Sequence, residues 1–155
     1  MDERAQVIVE LQTVLADFWY DVDARGGNDA ASFYTEDGVF EASERTYSGR
    51  EMIEKFYRFR RDRGARVAMH VVTNFRAQLI GPGEAVSTWY MTLYAADGAP
   101  VLPTTPPIQI ALATDHSVKC DDGRWRYRHR KFETLFKGGV PTTTMTAEYE
   151  TSGKV

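Results

Sequence analysis

The run Arg66-Val-Ala-Met-His-Val-Val-Thr-Asn-Phe-Arg-Ala-Gln-Leu-Ile80 is rich in β-branched and large apolar residues and contains neither glycine nor proline. It ends at Gly81-Pro82-Gly83, a strong turn signal, so the run predicts one long β-strand. Because side chains alternate across a strand, His70, Val72 and Asn74 are expected to share one face. The opposite face is mostly apolar. Two hydrogen-bonding side chains, His70 and Asn74, are therefore expected on one face of a half-buried strand, four residues apart with Val72 between them.

A histidine on such a strand needs a partner for at least one ring nitrogen, since an unpaired buried polar group costs about 1–3 kcal/mol. One interpretation is a core histidine satisfied by a backbone carbonyl or by Asn74. The other is a functional histidine, and the residue that favours this second interpretation is Asp23, near the end of the first predicted helix. The sequence leaves both interpretations open.

Composition predicts one ordinary globular domain. The chain has 155 residues, of which 43% are hydrophobic and 26% charged, and this length allows a sizeable core. The formal net charge of −3 does not favour a nucleic acid or an anionic membrane as partner. Cys120 is the single cysteine, which excludes an intrachain disulfide and a cysteine-based zinc site. No apolar run approaches the length of a membrane span, so we expect a cytoplasmic protein.

The first third of the chain predicts helices. Apolar residues recur at three- and four-residue spacing from Glu3 to Val22, which is typical of one helix with a wide buried stripe. A second, short helix is expected after Asn28 or Asp29. The pattern Ser48-Gly-Arg-Glu51 predicts a capping box that opens a third helix. The arginines of that helix are expected to form a solvated charged face; they are Arg58, Arg60, Arg61 and Arg63.

The rest of the chain predicts strands. Glu84–Tyr94 reads as a second long strand, and Ile108–Lys119 and Arg124–Phe136 as a hairpin. Helices followed by an antiparallel meander indicate an α+β fold, a cone-shaped curved antiparallel sheet with N-terminal helices enclosing a pocket. We assign this domain to residues 1–137 and a C-terminal tail to residues 138–155.

Five short pieces of the chain carry a family resemblance. They are Val22-Asp23-Ala24-Arg25, Phe33-Tyr34-Thr-Glu-Asp37-Gly-Val-Phe40, Tyr47-Ser-Gly49-Arg50-Glu51, His70-Val-Val-Thr-Asn74, and Asp122-Gly123-Arg124-Trp125-Arg126 with the later Arg130. In their order and spacing they resemble the SnoaL-like branch of the nuclear transport factor 2-like superfamily. The resemblance covers about residues 5–137, and it implies a cone-shaped fold around a small-molecule pocket.

Within this superfamily, scytalone dehydratase, the hexachlorocyclohexane dehydrochlorinase and bile-acid dehydratases use an Asp–His dyad as the base. Asp23 and His70 stand at the matching positions, so the resemblance implies that they are catalytic. Such an aspartate fixes the histidine tautomer and leaves the other ring nitrogen free to take a proton. The dehydrochlorinase has a lysine where this chain has Phe18 and Trp19, and scytalone dehydratase a second histidine where this chain places Trp89. Substrate and leaving group therefore do not carry over.

The remaining candidate residues would shape the pocket. Arg130 could hold an anionic group there or lie solvated on its strand. Tyrosine hydroxyls could donate to a developing oxyanion, although core aromatics with a satisfied hydroxyl are commoner; the tyrosines considered are Tyr20, Tyr47, Tyr57 and Tyr90. The substrate-binding set that we predict is Trp19, Phe40, Phe56, Asn74, Trp89 and Arg130.

Two functions follow. The first is a cofactor-independent lyase or isomerase, of dehydratase, dehydrohalogenase, ketosteroid-isomerase-like or cyclase type, acting on a small hydrophobic cyclic substrate. The second is a non-catalytic ligand-binding or assembly module that resembles a ring-hydroxylating dioxygenase β subunit. Neither needs a cofactor, and three scattered histidines predict no metal site. Bulky groups on the outer sheet face favour a homo-oligomer, a dimer or trimer; they are Val71, Phe75, Tyr90 and Tyr94.

Overall fold

A computed structural model of the chain describes residues 1–153. The first helix, α1, is followed by a single 3₁₀ turn, a short hairpin, a second helix, α2, and four long strands. The helices are α1 (Glu3–Arg25), α2 (Arg50–Asp62) and α3 (Ala147–Thr151), with the 3₁₀ turn at Ala30–Phe33; the strands are β1 (Tyr34–Glu41), β2 (Thr46–Ser48), β3 (Arg66–Gly81), β4 (Glu84–Asp97), β5 (Gln109–Lys119) and β6 (Trp125–Lys137).

The strands form one six-stranded curved sheet in the order β2-β1-β6-β5-β4-β3. The α+β fold predicted from the sequence is confirmed. One strand pair departs from the antiparallel expectation, because β1 runs parallel to β6. The inner face of the sheet carries the side chains that pack with the helices, and on β4 these are the alternate residues from Ala85 to Ala95.

Helix α1 lies across the inner face and sets the position of Asp23. It begins at the Asp2 side chain, which accepts a hydrogen bond of 2.7 Å from the Ala5 N–H. It ends at Gly26, whose φ of 70° is the left-handed conformation that favours glycine. The helix is three residues longer than predicted, so Asp23 belongs to its last turn and not to the loop that follows. The predicted apolar stripe is buried.

The start of α2 differs from the sequence prediction. Ser48 lies in β2, where it pairs with Val39 of β1. Gly49, with φ of 89°, precedes the helix and supplies no capping side chain. The capping box is therefore wrong, because Ser48 is held in the β1–β2 ladder and cannot turn back to cap the helix.

Strand β3 spans almost the range that the sequence predicts, but a β-bulge interrupts its alternation between Thr73 and Arg76. Asn74 adopts φ of 54°, a conformation that asparagine tolerates better than most residues. As a result Asn74 is exposed and does not share the inner face with His70, while Phe75 turns inward and packs against the core. The expected inward Asn74 and outward Phe75 are both corrected by this bulge.

A buried ion pair lies beneath the aromatic core. The Arg130 guanidinium donates from Nε and Nη2 to the two Asp115 carboxylate oxygens at 2.6 and 3.0 Å. Trp89 Nε1 donates to the same carboxylate at 2.8 Å. The rings of Tyr127 and Phe18 lie 3.9 and 4.6 Å from the guanidinium carbon, within the range of cation–π attraction. Both charged side chains are about 1% exposed.

We expect Asp115→Asn to lower the free energy of unfolding by about 3–5 kcal/mol, since the change leaves the Arg130 charge buried without its counterion. The matched control is Asp97→Asn, which breaks the Arg66–Asp97 pair at the exposed end of β4 and should have a much smaller effect. Urea denaturation followed by circular dichroism measures both. Equal losses in the two variants would contradict the role that we assign to the buried pair.

Candidate active site

Asp23 and His70 meet across the junction of α1 and β3. His70 Nδ1 lies 2.6 Å from Asp23 Oδ1, and the backbone N–H of His70 donates to Asp23 Oδ2 at 2.8 Å. The carboxylate therefore receives two hydrogen bonds from one residue, 47 positions further along the chain. This double contact fixes the imidazole relative to the helix.

The geometry also determines which ring nitrogen is available. An ionised carboxylate only accepts hydrogen bonds, so Nδ1 carries the proton and donates to Asp23. His70 lines a cavity, and its Nε2 makes no hydrogen bond to any residue that the structure describes. In this tautomer Nε2 has a free lone pair, the arrangement that a general base requires.

Trp19 covers the face of the imidazole. The two rings are nearly parallel, at 7°, with centroids 3.9 Å apart. Burial lowers the pKa of His70, and the charges of Arg60 and Arg130 act in the same direction, while Asp23 opposes the shift. The histidine is therefore neutral at pH 7, as a proton acceptor must be.

The cavity lies between the helices and the inner face of the sheet and encloses about 70 Å³. Three of the predicted substrate-binding residues, Trp19, Phe40 and Phe56, line it together with His70. Asp23 lies behind His70 and borders a neighbouring cleft. Aromatic and aliphatic side chains make up about half of the wall, which suits the apolar part of a ligand, and polar or charged side chains make up the rest.

The other three predicted substrate-binding residues do not line this cavity. Asn74 is exposed at the bulge of β3. Trp89 and Arg130 are fully buried and bonded to Asp115 beneath the cavity. The sequence analysis placed Trp89 in the pocket and left Arg130 open between the cavity and solvent. It held no sign of Asp115, the partner that keeps both side chains in the core.

Sequence reasoning gave too little weight to Tyr57 and to two arginines of the cavity wall, Arg60 and Arg63. Burial raises the pKa of Tyr57 to about 12, so its hydroxyl stays protonated. That hydroxyl has no hydrogen-bond partner within residues 1–153. The sequence prediction buries only the apolar residues of α2 and leaves its arginines in solvent. The signal that could have found Arg60 and Arg63 is their spacing of four and seven residues from Phe56, which places all three on one helix face.

The segment after β6 closes one side of the cavity. Thr142–Thr144 line the wall, and Met145 is buried with its backbone N–H bonded to the Tyr47 hydroxyl at 3.0 Å. Arg45 donates to the Met145 carbonyl at 2.9 Å. The predicted tail thus packs against the domain and contributes backbone and side chains to the site.

Among residues 1–153, no group of three or more histidine, cysteine or acidic side chains is placed to hold a metal ion. Over the same part of the chain, no helix combines the length and the apolar composition that crossing a lipid bilayer would demand.

An open, curved six-stranded sheet that packs α1 and α2 around a cavity defines a protein of the nuclear transport factor 2-like class. The chain belongs to the SnoaL-like domain family, whose model matches residues 3–131. No curated protein sequence matches it significantly.

Solved structures with less than 25% identity share the fold. ActVI-ORFA from Streptomyces coelicolor is 20% identical with a TM-score of 0.73, over 85% of this chain and 98% of that one. A protein provisionally named scytalone dehydratase from Novosphingobium aromaticivorans is 18% identical with a TM-score of 0.76, over 92% and 94%. A Catenulispora acidiphila protein in complex with S-DNPA is 21% identical with a TM-score of 0.70, over 84% and 94%.

The lowered pKa of His70 predicts how stability depends on pH. In the unfolded chain a histidine titrates near 6.5, so below that pH the unfolded state binds a proton that the folded state resists. Folding stability that depends on neutral His70 is present above about pH 6.5 and is lost as the pH falls toward the folded pKa.

We therefore expect the free energy of unfolding to fall more steeply between pH 7 and 5 in the wild type than in His70→Asn. Urea denaturation at four pH values measures this difference, and the variant controls for His116 and His129, which both proteins keep. NMR titration of His70 should give a pKa below 6.5. A value above 7 would contradict the prediction.

Proposed function

We propose that the protein is a cofactor-independent lyase or isomerase that acts on a small hydrophobic cyclic substrate, with His70 as the base and Asp23 as its partner. The observation that carries the proposal is the 2.6 Å contact between His70 Nδ1 and Asp23 at the wall of the cavity. A purely structural histidine needs only one satisfied nitrogen. In His70 the second ring nitrogen, Nε2, has no hydrogen-bond partner among the described residues. Because His70 lines the cavity, we propose that this nitrogen contacts the substrate.

In the proposed reaction, His70 Nε2 removes a proton from a carbon next to a carbonyl group of the substrate. The C–H electron pair moves into the substrate and forms an enolate, and the imidazolium is stabilised by Asp23. The enolate then expels a β-hydroxyl group, which takes the proton from the His70 imidazolium and leaves as water, or a β-halide, after which the imidazolium gives its proton to solvent. Alternatively, the enolate takes the proton back from His70 at another carbon. Both outcomes balance without an oxidant, a reductant or a metal.

Tyr57 is the candidate donor to the enolate oxygen. Its phenol stays protonated because its pKa is raised to about 12, and none of the described residues makes a hydrogen bond to the hydroxyl group. A neutral donor in an enclosed site stabilises developing negative charge more than the same donor would in water. In this proposal β3 supplies the base, His70, and α2 supplies the hydrogen-bond donor, Tyr57.

The size of the cavity limits how a substrate enters. About 70 Å³ is well below the roughly 300–1,000 Å³ of a typical ligand pocket. Thr142–Thr144 form part of the wall without belonging to a helix or strand. We infer that this segment moves when a ring-sized ligand enters.

The proposal is tested by proton exchange in deuterium oxide. Proton NMR follows the loss of hydrogen next to the carbonyl in a panel of cyclic ketones, β-hydroxy ketones and β-halo ketones. We expect His70→Ala to reduce the exchange rate on any accepted compound by roughly 10²–10⁴-fold. Asp23→Asn should reduce it too, because the amide no longer stabilises the imidazolium.

His70→Asn controls for packing beside Trp19, since it keeps a polar, planar side chain there. Compounds that bind to the wild type without any exchange would favour the alternative, a non-catalytic ligand-binding or assembly module. In that case His70→Ala would lower the melting temperature, and neither the wild type nor the variant would catalyse exchange. That combination would overturn the catalytic proposal.

We also propose that the outer face of β3, β4 and β5 pairs with a second copy of this chain. Met69 and Tyr94 stand opposite each other in the β3–β4 register, and Tyr90 stands opposite Leu112 in the β4–β5 register. Met69 and Tyr90 are 53% and 38% exposed. Large apolar side chains that are exposed together on one sheet face often mark an interface between protein chains.

We expect light scattering to show a dimer or trimer for the wild type and a monomer for Met69→Lys/Tyr90→Lys. Two buried charges would disfavour the interface and leave the inner face unchanged. Val9→Lys is the matched control, because Val9 is 51% exposed on α1. A wild type that is monomeric at micromolar concentration would refute the interface.

A further inference from the structure

The four arginines at the end of α2 fall into two groups. Arg58 and Arg61 are paired with Glu54, and Arg61 also donates to the carbonyls of Gly26 and Gly27. Arg60 and Arg63 have no carboxylate within 4 Å and no hydrogen-bond acceptor among the residues described. These two are also the ones that line the cavity. Two positive charges at the cavity wall, those of Arg60 and Arg63, therefore lack a carboxylate partner.

The unpaired groups are not simply solvated. Both side chains are half-buried, and Arg63 Nε is sealed from solvent without a hydrogen-bond partner. Burying an unpaired polar group of this kind costs free energy. A cost of this kind, at the wall of a cavity, indicates a group that is completed by a ligand.

The carboxylates near these arginines are already engaged. Glu44, on the same cavity wall, is bonded to Lys137. Asp97 is bonded to Arg66, which also donates to the Pro141 carbonyl at 2.9 Å. Asp23 attracts Arg60 at a distance, but its two oxygens are bonded to His70.

The positive charges also disfavour one another. Burial lowers the pKa of Arg63 to about 10, and the charges of Arg60 and Arg66 act in the same direction. The Arg60 charge further lowers the pKa of His70. An anion placed between Arg60 and Arg63 would offset this repulsion and receive hydrogen bonds from both guanidinium groups.

We infer that Arg60 and Arg63 form a subsite for a carboxylate of the substrate, at the edge of the cavity beside the dyad. The subsite rests on the proposed function of the cavity as a substrate site and names the substrate class: a hydrophobic ring compound that carries a carboxylate. The ring lies against Trp19 and Phe56, and the carboxylate lies against the arginines.

Binding of matched acids and amides tests the subsite without requiring turnover. The probes are phenylacetate and 2-naphthylacetate, each compared with its primary amide by isothermal titration calorimetry at low salt. The two members of a pair share the ring and differ in charge. We expect the wild type to bind each acid roughly 10- to 100-fold more tightly than its amide, and added salt should narrow that ratio.

Arg60→Gln and Arg63→Gln should each reduce the ratio of the affinity for the acid to the affinity for its amide. The double variant should bring this ratio close to one. Arg58→Gln is the matched control, because Arg58 lies on the same helix, is paired with Glu54 and does not line the cavity. Its ratio should equal that of the wild type. The subsite is overturned if no acid binds the wild type more tightly than its amide, or if the double variant keeps the ratio.

Two further measurements separate this inference from the proposed function. His70→Asn should keep the preference for acids, because the base does not contact the carboxylate. A variant that loses exchange activity but keeps this preference would support the subsite independently of the proposed function. Arg63→Met should raise the melting temperature of the ligand-free protein or leave it unchanged, since it removes a buried unpaired charge. A fall of several degrees would show that Arg63 is structural and overturn its role in the subsite.

Discussion

The pairing of Asp115 with Arg130 is the contact on which the aromatic core and the cavity depend. Desolvating two charges is expensive, and close geometry with additional hydrogen bonds offsets that cost, although Arg130 Nη1 has no hydrogen-bond partner among the described residues. Here Arg130 bonds both carboxylate oxygens, Trp89 adds a third bond, and the guanidinium carbon also lies 5.7 Å from the Trp19 ring. Trp19 in turn stacks on His70. The buried pair thereby holds the ring that orients the base.

The dyad depends equally on where α1 ends. Asp23 lies in the last helical turn, two residues before Arg25, and the left-handed Gly26 directs the chain away immediately afterwards. A carboxylate near a helix C-terminus is disfavoured by the helix dipole. The two hydrogen bonds from His70 offset that effect. These bonds join the last turn of α1 to the middle of β3.

Much of this arrangement could be read from the sequence. Local pattern was sufficient for the long strands, for the stripe of α1 and for the inward side chains of His70, Trp19, Phe40 and Phe56. Local pattern failed where a contact between residues far apart in the sequence determines the position of a side chain. The bulge at Asn74 shifts one half of β3 against β4, and strict alternation cannot anticipate such a shift. Trp89 and Arg130 are buried, and Asp115 on β5 holds them below the cavity; no local spacing reveals that partner.

The arginines show why charge is the hardest feature to place from sequence. Four arginines within six positions of α2 look alike in the chain, but two lie against Glu54 and two line the cavity. Of the unpaired two, Arg60 lowers the pKa of His70, which helps to keep the base neutral but weakens it as a proton acceptor. A carboxylate bound to Arg60 and Arg63 would offset their charge and raise the basicity of His70 when substrate is present. Anion binding and proton abstraction would then be coupled through electrostatics alone, without any movement of the dyad.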